Sequence, residues 1–179
     1  MDTLIPHPGA GYDRPLDILD ACHRRMRDES AALAWLCLYV EEHGVDDHAA
    51  HTARSIVNFF ETVVAAHHCD EEYDVYPLVQ RFCPSTELNA VRSLVARLRA
   101  DHRKLDALWA DMRLRLRQLA AGDRGALTPD AASAFADACR HHVALEEGEM
   151  MPLVRRVLDP RMVSRLGGSM SRRRTSVAA

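Results

Sequence analysis

The 179-residue chain is long enough for one domain with a sizeable core and short for two. Aromatics make up only 6% against 47% hydrophobic residues, which disfavours an aromatic, β-branched sheet protein and favours helices packed through Leu, Ala, Val and Met. A net charge of -3 with both signs interspersed leaves no nucleic-acid footprint, and the longest apolar run, Ala31–Val40, is about half of what a bilayer demands.

Residues 1–14 read as an N-terminal arm containing Pro and Gly, without the basic-then-apolar order of a signal peptide. A cytoplasmic protein with no membrane segment is expected. The cysteines (Cys22, Cys37, Cys69, Cys83, Cys139) form no CxxC pair, and their odd number fits reduced thiols in that compartment.

A helical domain is expected over 15–158. In the first helix Leu16, Leu19, His23, Met26, Ser30, Leu33, Cys37 and Val40 step by three and four, with Pro15 suited to the first turn and Gly44 to the stop. The second, Asp47 to Arg81, places Ile56, Phe60, Val63, His67, Glu71, Val75 and Leu78 on one face. The third runs through Leu88, Val91, Val95, Leu98, His102, Leu105, Trp109, Met112, Leu116 and Leu119 without a break, after Pro84-Ser85 and before Gly122. The fourth, Pro129 to Leu158, aligns Phe135, Ala138, His142, Glu146, Met150, Leu153 and Val157, with Thr128 as N-cap. Pro77 and Pro152 should kink or loosen the last turns of helices two and four. Short connections imply an all-α, antiparallel up-down-up-down four-helix bundle. Residues 159–179 read as a short helical turn and a flexible C-terminal tail, in which Arg172-Arg173-Arg174 is solvated.

Helices two and four each carry His-x-x-x-Glu with a proline six residues after the glutamate: His67, Glu71 and Pro77, then His142, Glu146 and Pro152. A four-residue step turns about 400°, so imidazole and carboxylate share one helix face. The pattern is an approximate tandem repeat, with His67 and His142 75 residues apart, Glu71 and Glu146 likewise, and His23 and His102 79 apart. Counted at 1.5 Å per residue from the turn at 82–85, the histidines and glutamates of helices two, three and four fall at about 17–25 Å, within reach of one site. His23 comes out at about 12 Å, so helix one should begin somewhat higher.

A single histidine on an apolar face is most often a satisfied core residue. Four at matching depth on four helices, with two buried carboxylates that would otherwise be costly, point to metal. Four imidazoles and two carboxylates without thiolate suit two adjacent ions, each with two histidines and both glutamates bridging. Such mixed ligation favours iron, with manganese or zinc as alternatives.

At these residues the chain resembles the hemerythrin-like, or HHE cation-binding, family over roughly 15–158. The resemblance implies that His23, His67, Glu71, His102, His142 and Glu146 are the ligands of a non-haem di-iron centre with an oxo or hydroxo bridge. The symmetric four-histidine set departs from the five-histidine oxygen carriers and is closer to bacterial iron-centre repair proteins and iron-sensing hemerythrin domains. Only a short arm precedes helix one where the repair proteins carry a cysteine-bearing domain, which argues against a full repair role.

Three functions follow as expectations. The first is a redox-active protein that binds or turns over a small oxidant (O₂, peroxide or nitric oxide). The second is an iron- or oxygen-sensing module read by a protein partner. The third is a metal-free helical interaction protein. A monomer or homodimer fits each. Glu72, Glu147, His68 and His141 lie about 100° off the ligand face and are expected to support ligands or face water. Asp106 could orient an imidazole or face solvent, and Cys69 beside the site is explained as well by burial. His48 and His51 are expected to be exposed, and His7 and His43 have no evident partner.

Overall fold

The computed structural model describes residues 11–177, so most of the N-terminal arm, His7 included, lies outside the described residues. Helix α1 is Pro15–His43, and Gly44 ends it at φ 77°, returning its N–H to the Val40 carbonyl. Helix α2 is a continuous run. It starts as Asp47–Asn58 on an Asp46 cap, widens into a π-helical stretch at Phe59–Val64, resumes at Ala65–Asp70, widens again at Glu71–Val75 and ends with Tyr76–Phe82. Helix α3 is Leu88–Ala120. Helix α4 runs through Pro129–Leu145, a π-helical Glu146–Met150 and Met151–Val157, and the Thr128 hydroxyl accepts from the Ala131 N–H at its start. Helix α5 is Pro160–Val177. No strand occurs among the described residues.

Contacts between helices pair rising with falling residue numbers. Asp20 meets Arg155 and Arg27 meets Glu147 between α1 and α4, while Glu61 meets Arg117 and Glu72 meets His102 between α2 and α3. Arg97 meets Glu149 and Glu87 meets Arg156 between α3 and α4. The apolar core divides in two. One cluster gathers around Met26, Phe60, Leu105, Phe135 and Cys139, the other around Leu19, Tyr76, Leu98, Met150 and Val154. The polar layer of histidines and glutamates lies between them.

The wide turns explain where the expected seams slip. Within Phe59–Val64 the buried residue is Val64, with Val63 only half-buried, and the seam is regained at His67. Past Glu71–Val75 the buried positions are Tyr76 and Val79 rather than Leu78, and past Glu146–Met150 they are Met151, Val154 and Leu158 rather than Leu153 and Val157. Each π-turn inserts one residue and advances the face by one position. The two turns that begin at Glu71 and Glu146 immediately precede the prolines. Tyr76 and Met151 donate five residues back, to the Glu71 and Glu146 carbonyls, just before Pro77 and Pro152 break the ladder. The kink expected at each proline is therefore a widened turn on its N-terminal side. In α1 the slip is smaller: Leu36 is fully buried and Cys37 only partly.

The C-terminal segment differs most from expectation. Instead of a turn and a flexible tail, α5 packs against the bundle with Leu166 and Met170 buried. Two of the three arginines are half-buried and paired with the bundle. Arg174 binds Asp70 at 2.6 Å, Arg173 binds Asp74 at 2.6 Å, and Arg173 also reaches Asp70. Gly167-Gly168 would ordinarily break a helix, yet a Cβ at Gly167 would strike the Tyr12 carbonyl, so close packing of the N-terminal lead-in requires glycine there. Among the described residues no helix is long and apolar enough to cross a membrane.

Candidate metal centre

Each helix of the bundle delivers its histidine to the layer between the two apolar clusters, and His23, His67, Glu71, His102, His142 and Glu146 are all buried there. The shared face set by the four-residue spacing holds: His67 Nε2 is 3.3 Å from Glu71 Oε1, and His142 Nε2 is 3.2 Å from Glu146 Oε2. Across helices, His23 Nε2 is 3.0 Å from Glu146 Oε2 and 3.8 Å from Glu71 Oε1, and His102 Nε2 is 3.4 Å from Glu71 Oε2. Ligating atoms of His23, His67, Glu71 and Glu146 lie within 4.8 Å of one another, as do those of Glu71, His102, His142 and Glu146. The two groups share both glutamates.

This donor set fits cations. Both nitrogens of His23, His67 and His142, with one oxygen each of Glu71 and Glu146, are buried without a hydrogen-bond partner. Buried polar groups normally find partners, so this concentration of unbonded atoms facing one another calls for an ion.

The residues around the six sort differently from one another. Glu72 accepts from the His102 Nδ1–H at 2.7 Å, which directs Nε2 inward. Glu147 lies 3.8 Å from His23 Nδ1 and is held by Arg27 at 2.8 Å. Asp106 is exposed and does not orient His102; Glu72 does. His141 is exposed, as are His48 and His51, whereas His43 stacks on Tyr39 at 4.5 Å. His68 turns inward and stacks on His102 at 4.0 Å. Cys69 is half-buried.

Tyr76 is the residue that helical spacing misses. Its phenol is fully buried and donates to Glu146 Oε1 at 2.9 Å, 3.5 Å from His102 Nε2. Five residues past Glu71 would fall about 140° off the ligand face of an α-helix, but the π-turn brings it onto that face. Met151 holds the corresponding place after Glu146, so only one half of the repeat brings a hydroxyl to the centre.

Without metal the cluster balances its charge with protons. Burial opposes ionisation of Glu71, but His67, His102 and His23 outweigh it and hold its carboxyl well below the usual range. Burial and the neighbouring Glu71 push Glu146 up to about 7. Burial would depress His23 and His102, yet the two glutamates raise them to about 10 and about 9. Burial wins at His67 and His142, both lowered to about 3. A metal needs neutral imidazoles, so loading at neutral pH should expel roughly two protons per chain, from His23 and His102, with a fraction more from Glu146. Affinity should therefore strengthen as pH rises from 6 through about 9 and 10, where His102 and then His23 lose their protons anyway. Titration in weak buffer with a pH indicator measures the release. Loading without acidification would contradict the assignment of His23 and His102.

The family model described as the hemerythrin HHE cation-binding domain matches residues 14–154. The chain belongs to that family. As in the name of this HHE domain, histidine and glutamate make up the cluster, and the matched span takes in all six residues. An uncharacterized protein of Haemophilus influenzae is similar to this HHE chain, 26% identical over 174 residues that cover 97% of this chain and 98% of the relative.

Proposed function

We propose that this chain is a non-haem di-iron protein, an up-down-up-down four-helix bundle of the hemerythrin type that binds or reacts with a small oxidant (O₂, peroxide or nitric oxide) in redox or iron-stress handling. The observation that carries the reading is the pair of four-residue groups sharing Glu71 and Glu146. His23 and His67 would hold one ion, His102 and His142 the other, with both carboxylates bridging. Imidazole–carboxylate ligation without thiolate supports iron over structural zinc. Bound iron would supply the electrons and an open position for the oxidant. The chain's own residues do the rest. Glu72 fixes the His102 ring, Tyr76 ties one oxygen of Glu146, and the two apolar clusters keep bulk water from the centre. The free thiols fit a cytoplasmic setting.

Metal analysis and the optical spectrum of protein purified without chelators test this directly. Near two irons per chain with near-ultraviolet absorption of bridged ferric iron is expected. Little iron after anaerobic reconstitution would overturn it.

A second reading, an iron- or oxygen-sensing module, is favoured by one observation. Asp70, the residue before Glu71, is clasped by α5, which gives the centre a neighbour that a partner protein could read. In that reading iron loading slows amide exchange in α5, and turnover of peroxide or nitric oxide is negligible.

A further inference from the structure

One turn beyond the histidine layer the core is not filled. Met26, Val64, Leu105 and Cys139, each three residues from the histidine of its own helix, line a pocket of about 110 Å³ that opens to the surface past Glu61 and Asp106. One imidazole lines it, that of His68. At the 75-residue offset of the repeat Val143 takes the place of His68, so the packing of this layer does not itself demand a polar side chain.

His68 Nε2 is buried with no hydrogen-bond partner. Leaving such a group unsatisfied costs about 1–3 kcal/mol, which a merely structural residue would not sustain without return. The ring stacks on His102 at 4.0 Å and 19° and stands edge-on to His142 at 5.5 Å and 84°. One nitrogen each of His68, His102 and His142 lies within 4.8 Å of the others. A small molecule seated at the His102–His142 side of the centre would therefore come within hydrogen-bond reach of His68.

We propose that His68 hydrogen-bonds a small polar or anionic ligand on the His102–His142 face, so that the centre retains ligands able to use that bond over apolar ones of equal size. This rests on the metal-centre reading above. A site built to hydrogen-bond its ligand discriminates strongly against one lacking the partner atom, because its own buried group is then left unpaired. In this role His68 touches the ligand and is not itself one of the six metal-binding residues.

Azide is the probe, and the full chain is loaded with iron or, separately, with cobalt(II). Metal content is measured first, then the azide dissociation constant from the change in the metal's optical spectrum. His68→Val reproduces the residue of the other half and adds no bulk, so weaker binding there cannot be steric. It should keep the wild-type metal content and bind azide about tenfold or more weakly, as expected for one hydrogen bond to a charged group. His68→Gln, with an amide N–H, should recover part of that loss. Azide binding within about twofold of wild type in His68→Val, at unchanged metal content, would overturn the proposal alone. Loss of metal from His68→Val would overturn it differently, by making His68 a metal ligand. A wild-type chain that takes up neither iron nor cobalt would defeat the metal-centre reading itself, and this inference with it.

Discussion

Glu71→Ala is expected to empty the centre of both ions, not one. Glu71 belongs to both four-residue groups, with Oε1 turned to His67 and His23 and Oε2 to His102. In the two-ion reading, removing it takes a carboxylate from each ion at once and leaves Glu146 as the only carboxylate of the six candidate ligands. A metal that binds only the folded chain stabilises it by about 2.7 kcal/mol at a hundredfold excess over its dissociation constant. For a chain of this length that is on the order of 5–10 °C in melting temperature. Wild type should show that rise on loading. Glu71→Ala should show almost none, with metal content falling from near two per chain to near zero while helical circular dichroism persists. Glu146→Ala should behave likewise for the same reason. Retention of both ions by Glu71→Ala would refute the bridging assignment. His102→Leu separately checks for a metal-free bundle. If no ion is ever bound, that substitution removes a buried imidazole at no loss and should stabilise the fold.

The six candidate ligands were legible in the sequence because their signal is redundant. His67–Glu71 and His142–Glu146 repeat one spacing on two helices, and His23 and His102 interrupt seams that are otherwise apolar. Regular periodicity holds through His67, Glu71 and Val75 in the second helix and through Met150 in the fourth, but past the two wide turns beside the prolines it fails by one residue. Val64, Tyr76, Val79, Met151 and Val154 took the buried positions because a π-turn advances the face, and composition does not announce such a turn. Pro77 and Pro152 were the available signal. They should kink or loosen the helix, and the chain loosens it, absorbing each proline in a wide turn that carries the glutamate. Tyr76 is hidden by the same slip, and among the described residues it is the hydroxyl that reaches Glu146 at the centre's edge.

The C-terminal helix was hidden for another reason: its evidence lies on α2. Arg172-Arg173-Arg174 in a polar tail reads as solvated until Asp70 and Asp74 are found facing it, and nothing in the spacing around Asp70 points to a partner about a hundred residues away. Asp70 is fully buried, and both Arg173 and Arg174 reach it. Truncating one partner of a buried ion pair is strongly destabilising because the remaining charge is left uncompensated, typically by about 3–5 kcal/mol. The arginines here retain some contact with water, and Arg173 keeps Asp74, so Asp70→Ala should cost about 3 kcal/mol, on the order of 10 °C in melting temperature. The tandem repeat supplies the control. Leu145 occupies the position of Asp70 in the second half, so Asp70→Leu fills the same space with an apolar group and should recover much of the lost stability. It cannot bind the arginines. Hydrogen exchange should then separate the two roles of Asp70: α5 amides exchange faster in both variants, while the amides of α1 and α3 return to wild-type protection only in Asp70→Leu. Wild-type exchange in α5 of Asp70→Ala would mean that Leu166 and Met170 hold the helix unaided and that the arginine clasp contributes little.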